Sequence, residues 1–149
     1  MDAQQLAQAV AEGMWAQDRA SQALGMQLGA VGPGTAAITM TVRPDMLNGF
    51  ALCHGGLIGT LADSAFAFAC NSGNQLTVAS GYSIDISAGA RAGDVLTAQA
   101  RRIAATGRTG LYDVQVRNQR DELIAEFRGR AYRLKGQRVV AELPVEGEL

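Results

Sequence analysis

The dominant constraint on this 149-residue chain lies between Asn48 and Ser72, in NGFALCHGGLIGTLADSAFAFACNS. From Gly55 to Cys70 the residues are apolar or small for about four helical turns, with a single charge, Asp63. A helix that is apolar all round is normally buried on every side. A carboxylate in the middle of such a helix is costly unless it is paired, hydrated or used. The remainder of the chain must therefore build a wall around this helix and leave an opening to Asp63. The same stretch holds the only histidine, His54, followed at once by Gly55 and Gly56.

The flanking segments show two different periods. Residues 2–18 form a predicted helix: Asp2 and Gln5 fit a capping box, and Leu6, Val10 and Met14 recur every fourth residue. Ser21 to Leu24 make a further short turn ended by Gly25, and Gly29, Gly32, Pro33 and Gly34 read as turn punctuation. The pattern then switches to alternation. Thr35–Val42, Thr77–Ser87, Val95–Ala105, Gly110–Asn118 and Leu123–Leu134 are predicted strands. In the second of these, Val78, Ser80, Tyr82, Ile84 and Ile86 are expected on one face. Thr106–Thr109 and Asn118–Asp121 are short enough for hairpins. The expected architecture is α+β, a five-stranded antiparallel sheet around a long central helix, with an additional N-terminal helix over residues 1–20. One domain spans 1–149, and the mixed, acidic residues 136–149 are expected to form a flexible tail. Five strands cover one side of a helix that is apolar all round, so a second copy of the chain is expected on the other side.

Composition removes several function classes. A net charge of −1 and 5% aromatics leave no electrostatic footprint or stacking platform for nucleic acid. The two cysteines, Cys53 and Cys70, form neither a disulfide framework nor a metal-binding pattern, and one histidine is too few for a His-rich metal site. The opening MDAQQLAQAV lacks the basic and apolar regions of a signal peptide, and the central apolar run is too short to span a bilayer. A cytoplasmic protein without a membrane partner is the expectation.

Asp63 and Gly55 lie eight residues apart, about 12 Å along a helix axis. One chain cannot bring both to a single carbonyl group. Two such helices lying antiparallel across a two-fold axis could, with Asp63 of one approaching the His54–Gly55 end of the other. The unpaired N–H groups at a helix start stabilise charge on a carbonyl oxygen, and a facing carboxylate can serve as general base or nucleophile. Together these suit hydrolysis of an activated acyl group. Each residue also has a structural explanation: His54 as a cap, Gly55 and Gly56 as loop flexibility, Asn48 as the turn residue of an Asn-Gly pair.

The stretch LNGFALCHGGLIGTLADSAFAFACNS resembles the signature of the hotdog-fold acyl-CoA thioesterases, most closely the phenylacetate-degradation (PaaI-type) group. The likeness continues through SIDI, AGDVLTAQA, GRTGLYDVQVRNQ and IAEFRGRAYRL, covering residues 20–134. It implies a hotdog fold and hydrolysis of phenylacetyl-CoA or hydroxyphenylacetyl-CoA, with coenzyme A as part of the substrate and no metal or other cofactor. Alternatives are another aryl- or medium-chain acyl-CoA, or a non-catalytic acyl-CoA-binding module. The resemblance makes Asp63 the nucleophile or general base and Gly55 the N–H donor to the thioester carbonyl. It gives His54 and Asn48 to orienting the site, and Ser80 or Ser83 to supporting it. Gly56 and Phe50 line the substrate, and Gly107, Arg108 and Thr109 contact the coenzyme A nucleotide. Homodimers with interfacial active sites, pairing into tetramers, are implied as well. Where family members commonly carry a proline, this chain has Ser87-Ala88-Gly89-Ala90-Arg91, which implies a more flexible loop.

Overall fold

The computed structural model describes residues 1–149. Helix α1 (Ala3–Gln17) opens with the expected reciprocal cap between Asp2 and Gln5, and α2 (Arg19–Ala23) is capped by Asp18. The central helix α3 runs Gly55–Cys70. Strands β1 (Gln27–Gly32), β2 (Thr35–Thr41), β3 (Gln75–Ile86), β4 (Val95–Thr106), β5 (Thr109–Arg117) and β6 (Leu123–Arg138) form one antiparallel sheet in the order β1-β2-β4-β5-β6-β3.

The sheet curls around α3 because the helix presents mostly small or branched side chains to it. Ile58, Leu61, Ala62, Ala65, Phe66 and Ala69 pack against Ile38, Met40, Leu96, Ala98, Val114 and Phe127, all essentially buried. The Phe66 ring lies between Tyr112 and Phe127 and directly against Gly129, where a Cβ would fall 2.8 Å from the ring. Phe66 is thus core.

Four sequence expectations need revision. The sheet has six strands, because Gln27–Gly32, expected as a turn, pairs with β2. Only the Pro33-Gly34 pair is the turn, with Gly34 at φ +70°. In β3 the register slips between Ala79 and Gly81, so Ser80 is an extra residue opposite β6. Tyr82, Ile84 and Ile86 keep their common face, which Ala79 joins, while the bulge puts Val78 on the other. The residues beyond 135 are also not free. β6 continues to Arg138, and the fully buried Asn74 (φ +64°) donates to the carbonyls of Val140, Leu143 and Pro144 at 3.0 Å. Asn74 is the left-handed residue after α3. Finally, the loop after β3 is tied down: Ser87 N–H donates to Ile124 and Cys53 N–H donates to the buried Ala90.

β3 forms an open edge of the sheet, and its apolar residues Val78, Tyr82 and Ile86 are 42–47% exposed. On α3, a stripe of Gly56, Thr60, Asp63 and Ala67 likewise lies uncovered or half-covered. A single protomer therefore leaves both an apolar edge strand and one face of its central helix partly open.

Candidate active site

The start of α3 is built from the segment Met46–His54. Asn48 Oδ1 accepts the amide hydrogens of Phe50 at 2.9 Å and Leu52 at 3.2 Å, folding the loop around itself. This lets His54 N–H reach Met46 O at 2.8 Å and aims the chain into the helix. Ala51, at φ +60°, is the left-handed residue of this loop. Asn48 thus has the turn role that the sequence allowed, and its Nδ2 amide hydrogens remain free to serve a ligand.

His54 is the N-cap. Its Nδ1 accepts the Gly56 amide hydrogen at 3.2 Å. An accepting Nδ1 leaves the proton of a neutral imidazole on Nε2, on an exposed ring. Gly55 N–H has no acceptor in the chain. It lies at the positive end of the helix dipole beside a cavity of about 320 Å³, lined by Asn48, Leu52, Gly55, Ile86 and Gly89 among others. A Cβ on Gly55 would meet Ile86 Cδ1 at 3.0 Å, so glycine keeps this approach open.

Asp63 sits two turns further along the same helix, half-buried, with no ion pair and no hydrogen bond to its carboxyl. Burial, and after it the nearby Asp18 carboxylate, push its pKa up from the ordinary aspartate range. An unpartnered carboxylate of raised basicity is suited to accept a proton or attack a carbonyl carbon. The cysteines offer no rival nucleophile, since burial pushes Cys53 up and Cys70 up to about 12.

The structure gathers Asn48, His54, Gly55 and Gly56 at one end of α3. At the other end lies the β4–β5 hairpin, with Gly107 (φ +61°) and Arg108 as its two-residue turn between Thr106 and Thr109. Gly107, Arg108 and Thr109 line a hollow of about 90 Å³ together with Arg102, Arg133 and Glu146. Arg108 and Arg133 also line a second one, of about 380 Å³, with Lys135 and Arg138. These additional cations come from β4 and β6, and sequence reasoning did not group them.

Ser80 lies at the hairpin end, its hydroxyl donating to Arg130 O at 3.2 Å. Ser83 pairs with Arg128 on the opposite side of β3 from the helix. Neither serine joins the Asn48–Gly56 cluster within one chain. Phe50 is 84% exposed at the loop tip and does not line the cavity beside Gly55. Ile86 was missed by sequence reasoning, which singled out the loop Ser87–Arg91 for its missing proline but did not bring it to Gly55; the pairing of β3 with β6 does.

The thioesterase superfamily pattern matches residues 50–125. The acyl-coenzyme A thioesterase PaaI of Escherichia coli is 43% identical over 126 residues, 85% of this chain and 90% of that protein. The solved structure of E. coli PaaI, from the phenylacetic acid degradation operon, superposes with a TM-score of 0.88 over 90% of this chain and 97% of that one. A variant of the phenylacetic acid degradation protein PaaI from Thermus thermophilus superposes at 0.76, with 35% identity over 78% of this chain and all of the other. A Streptococcus mutans protein solved with acetyl CoA gives 0.72 and 26% identity, over 76% of this chain and 90% of its own.

Proposed function

Because this chain belongs to the thioesterase superfamily, we propose a function within it. The protein is an acyl-CoA thioesterase that hydrolyses phenylacetyl-CoA or hydroxyphenylacetyl-CoA to the free acid and coenzyme A, in phenylacetate degradation. The likeness to E. coli PaaI over nearly the whole chain supports this reading. One geometric observation carries the site: a free Gly55 N–H and an unpartnered Asp63 lie on one helix, about 12 Å apart.

In this reading two copies pair, and Asp63 of one faces the Gly55 amide of the other. The thioester carbonyl accepts from Gly55 N–H, and the positive end of the α3 dipole stabilises charge on its oxygen. Asp63 either takes a proton from an attacking water or attacks the carbonyl carbon itself. The tetrahedral intermediate collapses by breaking the C–S bond, and the coenzyme A sulfur leaves with the electron pair and takes up a proton that comes from the reacting water. In the first route the acid is released at once; in the second a water cleaves the acyl–Asp63 anhydride, which releases the acid and restores the carboxylate. His54 Nε2–H and the Asn48 amide orient the reacting groups, Gly56 and Phe50 flank the acyl chain, and Ser80 or Ser83 supports the site. Gly107, Arg108 and Thr109 meet the coenzyme A phosphates, which suit a guanidinium. No metal or further cofactor takes part.

The open β3 edge and the uncovered stripe of α3 support the homodimer, two of which pair as a tetramer. The cytoplasm is the proposed location; the unpaired cysteines and the absence of any helix long and apolar enough to cross a membrane fit it.

Release of free thiol from a panel of CoA esters, with wild type and Asp63→Asn in parallel, tests the reading. Fast release from the phenylacetyl esters that is lost in the variant is expected. Stoichiometric ester binding without thiol release would overturn it in favour of a binding module, and preference for another acyl group would reassign the substrate.

A further inference from the structure

We propose that Asp18, held beside Asp63 by a buried chain of two serine hydroxyls, is a positioning residue of the hydrolytic site. The inference rests on Asp63 being the base or nucleophile of that site.

The chain of contacts is explicit. Asp18 Oδ1 accepts the Ser21 amide hydrogen at 3.0 Å, and Asp18 Oδ2 lies 2.7 Å from Ser21 Oγ. Ser21 Oγ in turn lies 2.8 Å from Ser64 Oγ. Ser21 is 1% and Ser64 9% exposed, so water does not interrupt the chain. An ionised carboxylate only accepts, so the Ser21 hydroxyl donates to Asp18 and the Ser64 hydroxyl donates to Ser21. Both Asp18 oxygens are engaged, which fixes the side chain. Ser64 is the next residue after Asp63, so the chain ties the α1–α2 junction to the turn of α3 that carries Asp63.

Capping α2 does not by itself require a charge, because Asn or Ser cap equally well. Here one carboxyl group stands near a second with no cation to answer either: none of the ion pairs of the chain includes Asp18 or Asp63. Two neighbouring like charges disfavour ionisation of the more buried one, which makes that carboxylate the better proton acceptor. The groups facing Asp63 are few. Asp18 faces it from the α1–α2 junction and the neutral Cys70 thiol from two turns along α3. No lysine or arginine of the sheet pairs with it, and in the assembled site His54 of the second copy completes the set. Asp18 also lies outside residues 50–125, the span matched by the superfamily pattern, so this device belongs to the N-terminal helices.

The test compares wild type, Asp18→Asn and Asp18→Ser, both replacements keeping a capping oxygen. The pH profile of kcat/KM for phenylacetyl-CoA is measured, together with the titration of the Asp63 carboxyl carbon by NMR. Both variants are expected to move the acid limb and the Asp63 titration to lower pH with KM unchanged. Relative to its own plateau, each is then faster than wild type below the limb. A cap with a purely structural role would lower the whole profile without moving it. An acid limb and an Asp63 titration that coincide with wild type would overturn the inference while leaving the site reading intact. Undiminished hydrolysis by Asp63→Asn would overturn both.

Discussion

His54 Nδ1 accepts the Gly56 amide hydrogen across 3.2 Å, and one residue earlier the Gly55 amide donates to nothing in the chain. The cap therefore does two things at once. It satisfies one of the open donors of the helix start, and it selects which amide is left to meet a ligand. His54→Ala should cost about 1 kcal/mol in urea denaturation, as for loss of an N-cap, and should lower kcat/KM. His54→Asn should restore the stability through its own capping oxygen while leaving kcat/KM low, since it lacks Nε2–H. Full activity in His54→Asn would show that the ring serves only as a cap.

Asp63→Asn should lower kcat by about 10²–10⁴-fold and yet raise stability at neutral pH. The sign follows from the direction of the shift. Asp63 is pushed up, by burial first and by Asp18 second, so its charged form is less welcome in the fold than in the unfolded chain. Below the ordinary aspartate range both states hold the proton and nothing is lost. As pH rises through that range the penalty grows, and it is complete above the folded value. The stability difference between variant and wild type should therefore be present at neutral pH and vanish in acid. Denaturation curves at several pH values check this, and a difference that is constant with pH would contradict it.

Mixing two inactive variants tests whether the site is shared between copies. Asp63→Asn and His54→Ala each spoil both sites of a homodimer. A hybrid holds one site in which both residues are wild type. After unfolding and refolding an equimolar mixture, activity should return to roughly a quarter of wild type. A mixture no more active than its components would place Asp63 and His54 of one site in one chain.

Gly129 on β6 lies directly under the Phe66 ring, three of whose atoms would stand 2.8–2.9 Å from an added Cβ. The ring is boxed in by Tyr112 and Phe127, at 5.6 and 5.7 Å between centroids, and has nowhere to retreat. Gly129→Ala should destabilise by about 1–3 kcal/mol through overpacking, measured by chemical denaturation. Stability equal to wild type would mean that α3 can slide over the sheet.

Asn74 fastens the C-terminal segment through its amide nitrogen, whose two hydrogens are shared among three carbonyls, and through its oxygen, which accepts from Val140 N–H at 2.8 Å. Asn74→Ala should cost about 2–3 kcal/mol and expose residues 139–149 to fast amide exchange. Asn74→Gly, which suits the positive φ, should be less destabilised but equally fast in exchange. Slow exchange in both would assign the anchoring to the ion pair of Arg138 with Glu148 at 2.9 Å.

The parts of this protein that were legible in the sequence are those that depend on near neighbours in the chain. The capping box of Asp2 and Gln5 and the span of α3 were readable from spacing alone, as was the two-residue Gly107-Arg108 turn. Asp63 stood out because one charge in an apolar helix demands an explanation. What only the tertiary structure decided depends on a distant partner. β1 has little alternation of its own and two glycines, and it is a strand because β2 offers it a backbone to pair with. The bulge at Ser80, which redirects one end of β3, is a mismatch of length between two strands and is invisible in either one. The tail is held by Asn74, some seventy residues earlier, and Asp18 is tied to the turn of α3 that carries Asp63 only because Ser21 and Ser64 touch across 43 residues. Periodicity and turn chemistry are written in adjacent side chains; register, closure and the convergence of charges follow from packing, which no local pattern encodes.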